Sequence, residues 1–148
     1  MVDMKKIRQT LVKDVMRTKN LKKLKPTDSV STAIKWLCNN ELTMLPVIDG
    51  KEYLGEVVES DLLKIVIDPR DMPTRQIMSE PMLGMSFFPE SVRHVMRTHN
   101  VYLSPDDTLR QAAKKMYTAK AGVLPVMEGG KLVGILYSDD VIARLVKK

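Results

Sequence analysis

The sequence is short of several things, and each shortage removes a class of function. It has one cysteine, Cys38, which excludes an intrachain disulfide and fits a reducing compartment; a cytoplasmic protein is expected. No apolar run approaches the roughly 18 residues that a membrane-spanning helix needs. The first residues, MVDMKKIRQTLVKDVM, contain no uninterrupted apolar stretch and no small-residue cleavage site, so no secretory signal is expected. Aromatic residues amount to 5% and are not interleaved with basic ones, which argues against a stacking platform for single-stranded nucleic acid. The two histidines, His94 and His99, lie near one turn. With Cys38 they form no metal-ligand spacing, and no Ser/His/Asp set can be built from them. The glycine-rich phosphate loops GxGxxG and GxxxxGK(S/T) are absent. Neither an enzyme, nor a metal site, nor a required cofactor is expected.

What remains is 148 residues with 44% hydrophobic and 28% charged, enough apolar material for a core. The net charge is +6, and much of the basic excess comes early: Lys5, Lys6, Arg8, Lys13, Arg17, Lys19, Lys22, Lys23 and Lys25. Such an excess suits an anionic partner, either a phosphorylated small molecule or nucleic acid, or simply a solvated surface.

The chain is written twice. Shifted by 80 residues, VKDVMRTKN (Val12–Asn20) falls on VRHVMRTHN (Val92–Asn100). Shifted by 79, KPTDSVSTAIKWL falls on SPDDTLRQAAKKM, LPVIDG on LPVMEG, Gly55 on Gly134 and Asp61 on Asp140. Matches this dense, in one order, mark a tandem duplication.

Each copy reads alike. Asp28/Ser29 and Asp107/Thr108 are helix-cap candidates after Pro26 and Pro105. Apolar residues then recur at helical spacing: Val30, Ala33, Ile34 and Leu37, and Leu109, Ala112, Ala113 and Met116. Two short apolar stretches follow, Met44–Ile48 with Tyr53–Val58 and Val123–Met127 with Lys131–Tyr137, each joined by a turn as an antiparallel hairpin. A second helix is expected over Ser60–Ile67 and Asp139–Val146, and a first strand over Leu21–Leu24 and Val101–Leu103. The fold class is α/β of the α+β kind: two β-α-β-β-α units sharing a core, because one unit is too small to bury its sheet alone. The organisation is a basic N-terminal segment (1–11), repeat one (12–67), a Pro/Met-rich linker (68–91) and repeat two (92–148). Prolines 69, 73, 81 and 89 exclude a continuous helix from the linker; TRQIMSEPM allows one helical turn, and MLGMSFF could cover a cleft or a dimer face. Cys38 is expected to pack as a small hydrophobe.

The order V-x-x-V-M, P-x-D-(S/T)-h, h-P-V and G-x-x-x-x-x-D, met twice, resembles the CBS domain, whose tandem pair is called a Bateman module. The resemblance implies two repeats packed with pseudo-twofold symmetry around clefts that bind AMP, ADP, ATP or S-adenosylmethionine. It implies a regulatory role, a homodimer and, for a pair without an attached effector domain, a separate effector protein. A membrane partner is not expected, nor is nucleic acid. An interaction scaffold with vestigial clefts, or a weak nucleic-acid binder, is the alternative. Carried over by position, Asp61 and Asp140 match the ribose acceptors; a carboxylate can accept from both hydroxyls. The hydroxyl that the family often places three residues after the glycine is replaced by Val58 and Tyr137, with Ser138 adjacent to the latter. The residues after the methionine, Arg17, Thr18 and Lys19, and Arg97, Thr98 and His99, match a phosphate-facing edge. Pro46, Val47, Pro125 and Val126 could wall the base. Thr43 and Gly122 stand before them, Gly122 as a left-handed helix cap.

Overall fold

The computed structural model describes residues 3–67 and 90–146. The expected linker features, TRQIMSEPM and MLGMSFF, lie outside the described residues.

Each repeat is built on one amphipathic helix against one antiparallel hairpin. Helix α1 (Met4–Gln9) precedes the first repeat; α2 (Val30–Asn39) and α3 (Leu109–Ala119) are the repeat helices. Ser29 caps α2 by accepting from the Thr32 N–H. Thr108 caps α3 in a reciprocal box with Gln111, which satisfies two otherwise orphaned donors. The neighbouring aspartates do a different job: Asp28 and Asp107 accept from the N–H of Lys25 and Ser104, closing the turn before each cap. Val30, Ala33 and Leu37, and Leu109, Ala112 and Met116, are buried as the spacing predicts. Ala113 is exposed, so the buried stripe of α3 is narrower than expected. Cys38 is exposed as well, since it follows the buried Leu37 onto the solvent side of α2.

The hairpins are β1 (Met44–Asp49) with β2 (Glu52–Val58), and, labelled in chain order after the short β3 (Arg97–Thr98), β4 (Val123–Glu128) with β5 (Lys131–Tyr137). Both carry a register shift at the same place, Val47/Ile48 and Val126/Met127. The expected first strands shrink to single parallel bridges, Leu24 to Val47 and Leu103 to Val126. The final elements differ between copies: Glu59–Ile65 is a 3-10 helix, whereas Ser138–Ala143 is α-helix, here α4. The left-handed cap of α3 is Lys120 (φ 54°), not Gly122, whose carbonyl instead accepts the Ser138 N–H at 2.8 Å. Thr43 does the same for Glu59 at 2.8 Å.

The segment around VMRT does not stay with its own repeat. Val12, fully buried, packs into the core of Leu103, Leu109, Leu124 and Leu136, with Val15 and Met16 against it. Val92 packs into the core of Leu24, Leu37, Leu45 and Val57, with Val95 and Met96. The backbone repeats the exchange: Val12 N–H donates to the Asp107 carbonyl and Val92 N–H to that of Asp28, both at 2.8 Å. A third cluster, Ile48, Val123, Ile135 and Tyr137 with Leu21, Met44, Tyr53 and Leu132, joins the repeats. Each copy thus completes the other's core, which is why the two fold as one body.

Candidate functional site

The exchange of segments builds two junctions between the repeats at matched positions. In one, β3 runs antiparallel beside β2, with Arg97 opposite Glu56 and Thr98 opposite Gly55. In the other, Arg17 bridges Ile135, each N–H donating to the other's carbonyl at 2.8 and 2.9 Å. Side chains of paired residues share a face, so each arginine is set beside the final helical turn of the opposite strand's repeat.

There each meets an aspartate. Arg97 Nε and Nη2 donate to Asp61 Oδ2 and Oδ1 at 2.6 and 2.9 Å. Arg17 Nε and Nη2 donate to Asp140 Oδ2 and Oδ1 at 2.8 and 3.1 Å. Two-pronged contact is the geometry that a planar guanidinium and a carboxylate favour. The Arg97 hydrogen bonds hold the Asp61 carboxyl below its ordinary 3.8, against a smaller opposing effect of burial. The Asp140 hydrogen bond raises the Arg17 guanidinium. Arg17 also lies over the ring of Tyr137, 4.3 Å from its centroid, a cation–π contact.

The remaining sequence-expected residues divide. Thr18 and Lys19, like Thr98, are exposed at the edge. Thr43 and Gly122 flank the final helices through the carbonyl bonds described above. Tyr137 is buried and Ser138 opens α4 without capping it; the residue before the helix, Tyr137, makes no side-chain cap. Val47 and Val126 are fully buried in the repeat cores. The carbonyls of Pro46 and Pro125 already accept from Leu24 and Leu103 at 2.8 and 2.9 Å. Pro125 also lines a groove of about 480 Å³ with Tyr53, His99, Val101 and Met127.

Sequence reasoning missed Glu56. It is 2% exposed, the only buried charged residue among those described. Its Oε2 lies 2.6 Å from His99 Nε2. Burial raises its carboxyl above the ordinary value, with His99 and then Arg97 opposing. The signal was a break in the repeat: the second copy has Ile135 there.

Two pH effects of opposite sign follow. A carboxyl depressed in the folded state contributes stability that is present above its unfolded value and lost as pH falls through the folded one. Asp61 therefore contributes above pH 3.8 and loses that contribution on acidification below it. Glu56, raised from 4.5, does the reverse and disfavours folding as pH rises past that value. In melting curves across pH 2–7, Asp61→Asn should lose stability relative to the parent at neutral pH and converge with it at the acid end. Glu56→Gln should gain on the parent as pH rises. Parallel curves for all three would show that neither carboxyl is perturbed.

Among the described residues no helix is long and apolar enough to cross a membrane, and no group of three or more His, Cys, Asp or Glu side chains could hold a metal ion. Comparison with known proteins agrees with the doubled architecture. The CBS domain model matches residues 12–68 and 92–147. A CBS domain-containing protein of Dictyostelium discoideum is 26% identical over 140 residues, spanning 94% of this chain and 93% of the relative. A crystal structure of CBSX2 in complex with AMP superposes with a TM-score of 0.74 at 30% identity, covering 94% of this chain and 99% of the other. The CBS domain pair of protein MJ0100, in complex with 5′-methylthioadenosine and S-adenosyl-L-methionine, matches with a TM-score of 0.67 at 22% identity, covering 93% and all of that chain. The CBS domain model matched twice, over most of the described residues and once on each of two repeats that complete each other's core, shows that this chain belongs to the CBS domain family.

Proposed function

We propose that the chain is a regulatory module that senses adenine nucleotides in the two clefts between its repeats. The observation that carries the reading is the pair of Arg–Asp contacts, Arg17–Asp140 and Arg97–Asp61, each made across the repeats. A nucleotide brings a ribose diol and an anionic phosphate. The diol suits the carboxylate and the phosphate suits the guanidinium, so a bound nucleotide separates a pair whose two halves it then satisfies one by one. Because the halves belong to different repeats, occupancy changes how the repeats are tied, and that change is the signal. The AMP complex of CBSX2 supports this ligand class.

The rest of the reading is regulatory rather than catalytic, in the cytoplasm, acting on a separate effector chain. The hydrogen bond between Ser91 Oγ and His94 Nδ1, 3.1 Å, is a local contact within one turn and assembles no nucleophile–base set. A homodimer is supported by exposed apolar residues at matched positions in and just after the final helices, Leu63 matching Ile142, Val66 matching Leu145, and Ile67 matching Val146. A second copy would cover them.

Thermal melting with AMP, ADP, ATP and S-adenosylmethionine tests the proposal. Ligand at about 100 times its Kd should stabilise the fold by about 2.7 kcal/mol, a rise of several degrees for a chain of this size. Absence of any shift at millimolar concentration would overturn it. It would leave the scaffold reading, which Val58 favours by offering no hydroxyl where a phosphate would sit. In that case the homodimer persists whatever nucleotide is added.

A further inference from the structure

The two repeat helices bury the same stripe and show solvent different faces. Val30, Ala33 and Leu37 of α2 match Leu109, Ala112 and Met116 of α3, and all are buried. On the outer side, Ser31, Lys35 and Cys38 of the first copy become Arg110, Lys114 and Tyr117 in the second, and Glu41 just past the helix becomes Lys120. All of these are exposed. That side carries no net charge in the first copy and three positive charges in the second.

The fold does not account for those cations. Arg110 stands in the first turn of α3, the end where the helix dipole disfavours positive charge, and that turn holds no acidic residue. Lys114 follows at the spacing where like charges oppose the helix slightly. Arg110, Lys114 and Lys120 make no ion pair among the described residues, whereas Lys115 is held by Asp107 at 3.6 Å and Lys13 by Asp106 at 3.3 Å. Helix α1 packs against α3, with Ile7 on the core and the Leu109 N–H donating to the Thr10 carbonyl at 2.8 Å. Its Lys5, Lys6 and Arg8 are exposed and extend the basic surface; neither helix contains an Asp or Glu.

A ring stands among these charges. Tyr117 is 88% exposed. Arg110, Lys114 and Tyr117 follow one line along the helix, about 10 Å from first to last at 1.5 Å per residue. Ala113, one turn before Tyr117, is exposed and too small to cover the ring. Tyrosine and arginine are the residue types that interface hot spots favour.

We propose that the outer face of α3, extended by α1, docks an acidic segment of the effector protein. Carboxylates of that segment meet Arg110, Lys114 and Lys120, and one apolar side chain sits on Tyr117 and Ala113. The proposal rests on the regulatory reading above in calling the partner an effector; the surface itself does not involve the nucleotide. A nucleic-acid backbone would match the charge, but a lone ring beside an alanine offers one seat, not the row of rings along which successive bases stack.

Fluorescence anisotropy on the intact chain provides the test. The probes are a short peptide of glutamate and aspartate around one central phenylalanine, the same peptide with alanine at the centre, and a short DNA duplex. The parent should bind the phenylalanine peptide at low salt, about fivefold tighter than the alanine peptide, and lose it as salt is added. These comparisons need no substitution. Arg110→Glu combined with Lys114→Glu should weaken the peptide about tenfold, while Lys35→Glu at the matched place on α2 changes nothing. Tyr117→Ala should cost the phenylalanine peptide about fivefold and the alanine peptide nothing, a coupling that a merely structural tyrosine would not show. The variants should melt with the parent, as surface substitutions do. No binding of the phenylalanine peptide at low salt overturns the proposal. So does equal binding of the two peptides, tighter binding of the duplex, or a doubly reversed variant that binds as the parent does. None of these outcomes bears on the melting shift with AMP, which tests the regulatory reading separately.

Discussion

Gly55→Ala should lower the melting temperature by about 6–12 °C, the shift that about 3 kcal/mol of overpacking produces in a chain of this size. A Cβ on Gly55 would overlap the carbonyl oxygen of Arg97 and press on the Cα of Thr98. Both obstacles are backbone, so neither can rotate away. The variant must push β3 off β2, and Arg97 leaves Asp61 as it goes. The matched substitution Gly134→Ala is the control. There a Cβ would meet Met16 Sδ at 2.6 Å and the Arg17 carbonyl oxygen at 3.1 Å. A methionine side chain has three rotatable bonds and can give way, so the cost should be about 1 kcal/mol, or roughly 2–4 °C. Circular dichroism melts of the two variants decide the matter. A Gly134→Ala variant that melts below Gly55→Ala would mean that the backbones do not approach as described.

Asp140→Ala should weaken the tighter AMP-binding event about ten- to a hundredfold, the loss of one charged acceptor at about 1.5–3 kcal/mol. Asp61→Ala should leave that event intact. The two clefts have the same Arg–Asp pair, so the difference lies in what surrounds it. Beside Asp140 are the Tyr137 ring under Arg17 and Ser138 at the start of α4. Beside Asp61 are Val58, which donates nothing, and Glu59, which repels a phosphate. The structure adds a term of opposite sign. Removing either aspartate also frees its arginine for phosphate, so the measured loss should fall toward the lower end of the range. Charge-neutral Asp140→Asn frees Arg17 in the same way and keeps an acceptor oxygen, and its loss should be smaller still. Isothermal titration of AMP into both alanine variants tests the assignment. Loss of the tighter event in Asp61→Ala, with Asp140→Ala unaffected, would reverse it.

Much of the fold was legible because it rests on short-range pattern. The buried faces of α2 and α3 follow from residues three and four apart, the hairpins from apolar stretches around a turn, and the caps from Ser29 and Thr108. The duplication itself placed Asp61 and Asp140 on equivalent turns before any coordinates. Where local pattern was ambiguous the reading slipped. Leu21–Leu24, read as a strand, pairs only through Leu24; Lys22 and Lys23 between the two leucines stay in solvent.

The chain alone determined that there are two copies of one unit, and which face of each helix is apolar. It did not determine which copy each VMRT segment serves. That choice is made by contacts between residues far apart in sequence: Arg97 and Asp61 are separated by 36 positions, Arg17 and Asp140 by 123. No periodicity encodes such a pairing. Only burying Val12 in the second core and Val92 in the first brings each arginine to the other repeat's aspartate. Glu56 is the same lesson in one residue. Its position on β2 is a matter of local pattern, but its burial, and its dependence on a histidine 43 positions away, exist only once β3 lies against β2.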